Sequence, residues 1–452
     1  MHTNIHNKQM TNTAIKLTEC QAKALGKLKE FVGLDCEHKL FRLSGYAGTG
    51  KTFTICQFIK WLIENNYSII VCSPTNKAAK NLKAMASENG LDIEVTTIAK
   101  LLKQQAELNP ETGKEEFVSQ DDIDLTLYDV IIADEFSMIS EDNFYTLLSE
   151  LEGNYRTKII FVGDSAQLPP VGEDEPVVQT SVFKYANLKT VVRYDGELAR
   201  VAERIRNERA LNQIAYPFIT TSDKSIVVLD RYDWLKQAVD LFRTENYKFN
   251  PNYVRFLVWR NKQADILNAY IRKQICSSDA PAYELGERLI AKTPVFRSLI
   301  TFQGKKEIEQ WNAVMSASEE CYVIEKSKPG IDRQYGFPCH MVRVVTDEGL
   351  KLDLQILTEE GKHMQKDFLV DIKDRAKRSH GKQRNVAWKL YYTCLKTFDN
   401  VFHSYAITTH KAQGSTLDYA FVDTLDMRNC PDLQKILYTA LTRAKKQVFI
   451  PE

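Results

Sequence analysis

The stretch FRLSGYAGTGKTFTI, residues 41–55, decides how the rest of the chain is read. A short apolar run ends in Gly45, two more glycines follow at 48 and 50, and Lys51-Thr52 then open a helical pattern. Glycine takes φ > 0 and lets backbone approach a ligand closely. The pattern G-x-x-x-x-G-K-T between a strand and a helix is a phosphate cradle, its backbone N–H groups aimed at the anion and backed by the helix N-terminus. Gly45, Ala47, Gly48, Thr49, Gly50 and Phe53 frame the cradle. Lys51 reaches the β- and γ-phosphates, and Thr52 sets its hydroxyl on Mg²⁺.

Working outward, short runs rich in β-branched residues recur at 68–73, 129–134 and 158–164, with helical patterns at 51–65, 76–87 and 141–151 between them. Such alternation predicts a parallel sheet covered on both faces. A second series, at 225–230, 254–259, 404–409, 418–423 and the terminal QVFIPE, predicts a second sheet of the same kind. Two stretches break the rhythm. Residues 103–125 are polar and acidic; residues 286–390 carry short alternating runs and read as a mostly β insertion. Within the latter, KDRAKRSHGKQR (373–384) reads as a solvated charged loop, or as a phosphate-contacting patch.

A cradle for phosphate needs an acidic partner. DVIIADEFSM supplies Asp134 and Glu135 at the carboxyl end of a strand, where open α/β sheets bind ligands. Asp134 is expected to hold Mg²⁺ and Glu135 to orient and deprotonate the attacking water. In the next block, FVGDSAQLPPV, Gln167 projects from a tight loop; an amide can bond both a γ-phosphate and a water.

The bulk numbers agree with a large soluble chain. At 452 residues, about three domains of ~150 residues are expected. A formal charge of +1 gives no whole-molecule pull on a polyanion, so any nucleic-acid surface is local. Nine cysteines without a C-x-x-C pair argue against a disulfide or zinc scaffold and for a reducing cytoplasm. No apolar run reaches the ~18 residues of a membrane span. The polar start, residues 1–14, reads as a disordered tail without a signal core.

The order and spacing of these blocks resemble superfamily 1 helicases, and within them the 1B, RecD-like branch. The resemblance runs from LTECQAKAL (17–25) to LYTALTRAKKQVFI (437–450) and is thin in the two insertions. It implies two RecA-like phosphate-loop domains: 15–102 with 126–192, and 193–285 with 391–452. A pin would occupy 103–125 and an SH3-like module 286–390. Gln21 would read adenine. Arg193 would touch the γ-phosphate, and Arg443 would be the arginine finger. Gly414 would link nucleotide to strand. Thr75, Asn76, Lys77, Thr97, Thr409, His410 and Ser415 would contact nucleic acid, with Phe117 as a wedge in the pin. Stacking aromatics are sought among Phe256, Trp259, Tyr391 and Tyr392.

The implied activity is ATP-dependent, Mg²⁺-requiring 5′-to-3′ unwinding. Its partners would be single-stranded, duplex and fork DNA, together with replication or recombination proteins. The chain would act as a monomer in the cytoplasm of a bacterial cell, its gene there phage- or prophage-borne. The same motifs would serve a translocase that strips proteins from a strand. A replisome scaffold with vestigial hydrolysis would have no need of Lys51, Asp134, Glu135, Gln167 and Arg443 together.

Overall fold

The computed structural model describes residues 17–33, 36–108, 115–119, 123–154, 156–170, 172–182, 184–190, 196–207, 218–250, 252–303 and 306–452. The expected tail lies outside them, as does Arg193.

The first sheet has six parallel strands in the order Val95–Thr97, Ile69–Ser73, Val130–Ala133, Lys158–Gly163, Leu40–Gly45, Tyr185–Leu188. Neighbouring residues on its strands face opposite helical layers. Ile132, Ile160 and Leu43 pack with Phe31, Ile55 and Phe58 on one side. Ile131, Ile159 and Phe161 pack with Phe144 and Leu147 on the other. Burial on both faces is why these strands read as unbroken apolar runs.

The second sheet has five parallel strands: Ala406–Thr408, Val254–Val258, Leu417–Val422, Ala444–Pro451, Ile226–Leu229. Trp234 anchors one layer, fully buried against Phe256 and Phe421, with its indole N–H donated to the Phe449 carbonyl. The other layer includes the late helix Leu433–Leu441 and the helix Glu197–Asn207. The expected α/β class with two parallel sheets is therefore the observed one.

The insertion after residue 286 is an antiparallel six-stranded sheet. Its central strands are Pro338–Thr346, Glu320–Val323 and Arg288–Ala291, closed at one edge by Val401–His403. A long hairpin, Val295–Gln303 with Lys306–Met315, leaves it. The acidic insertion is also a hairpin, Gln104–Leu108 with Glu115–Ser119, in which Ala106 faces Phe117. The Phe117 side chain lies outside the described part.

Two expectations are corrected here. Residues 359–397 are not β: they form helices Glu359–Arg378 and Gly381–Thr397, packed on one another through Ile372, Ala376, Ala387, Trp388 and Tyr392. The charged run 373–384 is the joint between them rather than a loop. The border expected at 390/391 consequently falls inside a helix. The reason is a thin apolar stripe: only Gly361, Ile372 and Ala376 of the first helix are buried, so periodicity was faint. Its ends were legible all the same. Thr358 caps the Gly361 N–H, acids fill the first turn, and Arg375, Lys377 and Arg378 fill the last, as the helix dipole favours.

Burial ranks the core. Trp234→Ala is expected to cost ~3–5 kcal/mol, whereas Phe249→Ala, at an exposed site, should cost under ~0.5 kcal/mol. Urea titration followed by tryptophan-independent far-UV circular dichroism checks both.

Candidate functional site

Each strand of the first sheet delivers its functional residues at the carboxyl end. Leu40–Gly45 feeds the phosphate loop, in which Gly48 (φ 79°) and Gly50 (φ 77°) hold left-handed backbone. A side chain at Gly50 would also strike Gln21, whose Nε2 would lie 2.5 Å from the added Cβ. Gln21 is buried and locked: its Nε2 donates to the Thr49 carbonyl (3.0 Å), and its Oε1 accepts from the Thr18 N–H (2.9 Å). Lys51 Nζ folds back on the Gly45 and Tyr46 carbonyls at 2.9 and 3.2 Å. Thr52 and Phe53 open the helix Lys51–Glu64, both half-buried.

Asp134 and Glu135 follow the strand Val130–Ala133. Burial, with Glu135 adding to it, pushes the Asp134 carboxyl up to about 7. Glu135 stands in left-handed backbone (φ 54°), a costly conformation for a non-glycine, and its buried Oε2 has no partner. Two adjacent carboxylates so placed suit a cation. Among the described residues no cluster of three or more metal-ligating side chains exists, so any ion here takes further ligands from elsewhere. Gln167 is 2% exposed, and its Oε1 is likewise buried without a partner.

The second sheet reaches the same place. From the helix Leu433–Leu441, the Tyr438 hydroxyl accepts the Ala47 N–H of the phosphate loop (3.1 Å) and donates to Asp164 Oδ2 (2.6 Å). Arg206 pairs with the other oxygen of Asp164 and lies over the Tyr46 ring, 3.9 Å from its centroid. Thr439 Oγ1 accepts the Leu168 N–H, and Gln413 donates to the Leu168 carbonyl. Arg443, five residues beyond Tyr438, is buried, its guanidinium on the Thr439 and Ser415 carbonyls and Thr442 Oγ1. Asp164, Arg206 and Tyr438 were not singled out from sequence. The available signal was a lone tyrosine in LQKILYTAL, an otherwise apolar late helix.

The residues expected to meet nucleic acid divide. Thr75 and Asn76 stand at the start of the helix Asn76–Glu88, with Thr75 capping the Ala78 N–H. Thr97 is buried and caps Lys100; Thr409 is buried and donates to Val258. Ser415 is buried with an unpartnered hydroxyl, and burial lowers the pKa of half-buried His410. Gly414 (φ 73°) packs against Ala78, and its carbonyl accepts from Asn81. Lys77 does not stand free. It is bound to Glu320 of the antiparallel sheet (2.9 Å), as is the fully buried Arg255. Burial works to raise the Glu320 pKa, but Arg255, Lys77 and Arg288 overcome it and hold the carboxyl below its ordinary range. Of the aromatic candidates, Phe256 and Tyr392 are core, while Trp259 and Tyr391 are half-buried.

A phosphate loop from one parallel sheet, met by Tyr438 on a helix of a second, places the candidate nucleotide site between two lobes. Residues 17–217 match the profile described as an AAA domain, and residues 403–450 that of a UvrD-like helicase C-terminal domain. The chain is similar to the ATP-dependent DNA helicase dda of Enterobacteria phage T4, at 26% identity over 464 residues, covering 96% of this chain and 98% of that protein. It is also similar to an uncharacterized protein of Acanthamoeba polyphaga mimivirus, at 28% over 507 residues, covering 97% and 99%. A solved structure of Pif1 helicases at forked double-stranded DNA shares the fold, with TM-score 0.50 at 18% identity over 97% of this chain and 92% of that one. Its early and late parts thus match helicase-associated profiles, and nearly its whole length is similar to a DNA helicase.

The raised Asp134 pKa has a definite sign. Between the ordinary carboxylate pKa and about 7, the folded state holds a proton that the unfolded state has lost, so metal-free stability falls as pH rises through that window. Asp134→Asn should flatten this decline; urea midpoints measured from pH 4.5 to 7.5 would expose an unaltered slope.

Proposed function

We propose that this chain is an ATP-dependent DNA helicase that moves 5′-to-3′ along single-stranded DNA and opens duplex. The observation that carries the reading is the Tyr438–Ala47 contact: residues 391 apart in sequence meet on the backbone that would cradle the β-phosphate. A nucleotide site shared by two lobes changes when ATP binds and is cleaved, and that change can draw a strand past the protein.

In this reading Lys51 leaves the Gly45 and Tyr46 carbonyls for the β- and γ-phosphates. Thr52 and Asp134 would hold Mg²⁺, which when bound would neutralise phosphate charge. Asp134 would act there as the carboxylate, having given up its proton. Glu135, with its unpartnered Oε2, takes the proton of the attacking water, and Gln167 offers its free amide oxygen to that same water. Arg193 and Arg443 supply positive charge to the transferring phosphate, Arg443 by releasing the Thr439 and Ser415 carbonyls. Gln21 turns toward the adenine edge from its present place against Thr49.

The strand would cross the helix start at Thr75-Asn76, whose backbone N–H groups suit phosphates, and the segment from Thr409 and His410 to Ser415. Thr97 would act there through its backbone. Lys77 would reach the strand only by leaving Glu320. The hairpin carrying Phe117 would be the pin, and the antiparallel module, extended through Thr397 by its helical pair, would brace it. One chain supplies both halves of the nucleotide site, which supports a monomer. Nine unpaired thiols support a reducing cytoplasm. Among the described residues no helix is long and apolar enough to cross a membrane.

A strand-displacement assay on duplexes with 5′ or 3′ tails tests the function: unwinding is expected from the 5′ tail only. Displacement from neither tail, with ATP turnover still stimulated by single strands, would favour a translocase. Lys51→Ala should abolish turnover and retain most strand binding, read by ATPase assay and fluorescence anisotropy. Phe117→Ala should lower unwinding far more than ATP hydrolysis; equal loss of both removes the pin assignment.

A further inference from the structure

Behind the phosphate loop is a cavity of about 300 Å³ that the reading above does not use. Arg42, Ser44, Tyr46, Gln179, Tyr185 and Lys189 line it. It lies across the first sheet from the helix Lys51–Glu64: Leu43 packs toward that helix with Ile55 and Phe58, so Arg42 and Ser44 point the other way. The cavity is thus distinct from the cradle, though Gly45 and Tyr46 form part of its wall.

Three of its buried polar atoms, on Arg42, Ser44 and Gln179, lack partners. Arg42 is 7% exposed, and among the described residues no carboxylate pairs with it. Its NH1 donates to the Val178 and Gln179 carbonyls, its face lies on the Tyr185 ring, and its Nε has no partner. Ser44, 9% exposed, has an unpartnered hydroxyl, and so does the amide oxygen of Gln179 lack a donor. Lys189 stands exposed at the rim. A buried guanidinium without a counter-ion is costly unless an anion completes it. The Ser44 hydroxyl can donate, and a Gln amide turned over presents two N–H groups. The donor set of a guanidinium, a hydroxyl, an amide and an ammonium matches the oxygens of a phosphate.

We propose that this cavity is a second anion site, taking a phosphate group on Arg42, Ser44, Gln179 and Lys189. Arg206 lines the same cavity while holding Asp164, so an anion there competes for the guanidinium that ties Tyr46 to the second lobe. The phosphate has two sources, solution or the product of ATP cleavage; the second rests on the proposed hydrolysis, whereas the site itself does not.

The test is isothermal titration of inorganic phosphate into the full chain carrying Lys51→Ala, which removes the cradle's cation and turnover together. Phosphate should still bind, and adding Lys189→Gln or Arg42→Met should weaken it by ~10-fold or more. Lys189→Gln lies on the surface and keeps the test valid if Arg42→Met fails to fold. Binding lost with Lys51→Ala alone, or unchanged by Lys189→Gln, overturns the proposal, as does no binding up to ~10 mM phosphate. In the chain that keeps its native Lys51, a phosphate sensor then follows a single turnover of ATP. Altered release in Lys189→Gln assigns the phosphate to cleavage; unaltered release with weakened binding supports the site and assigns its phosphate to solution.

Discussion

A buried carboxylate, Asp164, holds the two lobes of this protein together. One oxygen accepts the Tyr438 hydroxyl and the other pairs with Arg206. Burial, with Asp164 adding to it, raises the Tyr438 pKa, so the phenol stays protonated and remains a donor. That leaves its oxygen free to accept the Ala47 N–H. A backbone N–H of the phosphate loop is thereby met by a side chain from the other lobe. The contact is polar, directional and buried, which makes it sensitive to small shifts of one lobe against the other. In the proposed reading, nucleotide and lobe position are linked through this backbone amide.

A second buried carboxylate plays a similar part on the strand side. Glu320 joins Lys77 of the first lobe to Arg255 of the second sheet, and Asp347 and Glu348 lie 3.8 Å from Lys80 one turn further along the same helix. Breaking a buried pair costs ~3–5 kcal/mol because a charge is left stranded. In the proposed reading a strand phosphate at Lys77 would offer replacement charge, so the antiparallel module would compete with nucleic acid for that cation.

Much of the fold was legible because parallel strands buried on both faces must be apolar throughout, and the phosphate loop needs glycine where φ is positive. The carboxylates at 134 and 135 were legible for the same reason: they follow such a strand. The helix Glu359–Arg378 was missed because three buried residues in twenty leave almost no period to read. The pairing of Lys77 with Glu320 was not legible, because a lysine in a motif gives no sign of an acid 243 positions away.

By itself the sequence determined the two parallel sheets, the phosphate loop and the set of groups that could act on a nucleotide, since these follow from local pattern and backbone sterics. Only the tertiary structure decided which charges meet. Tyr438 on Ala47, Arg206 on Asp164 and Glu320 on Lys77 join segments 391, 42 and 243 residues apart, and such pairings leave no trace in spacing. Desolvation opposes such a pairing, and the low-dielectric surroundings that strengthen its attraction exist only once the chain has closed around it.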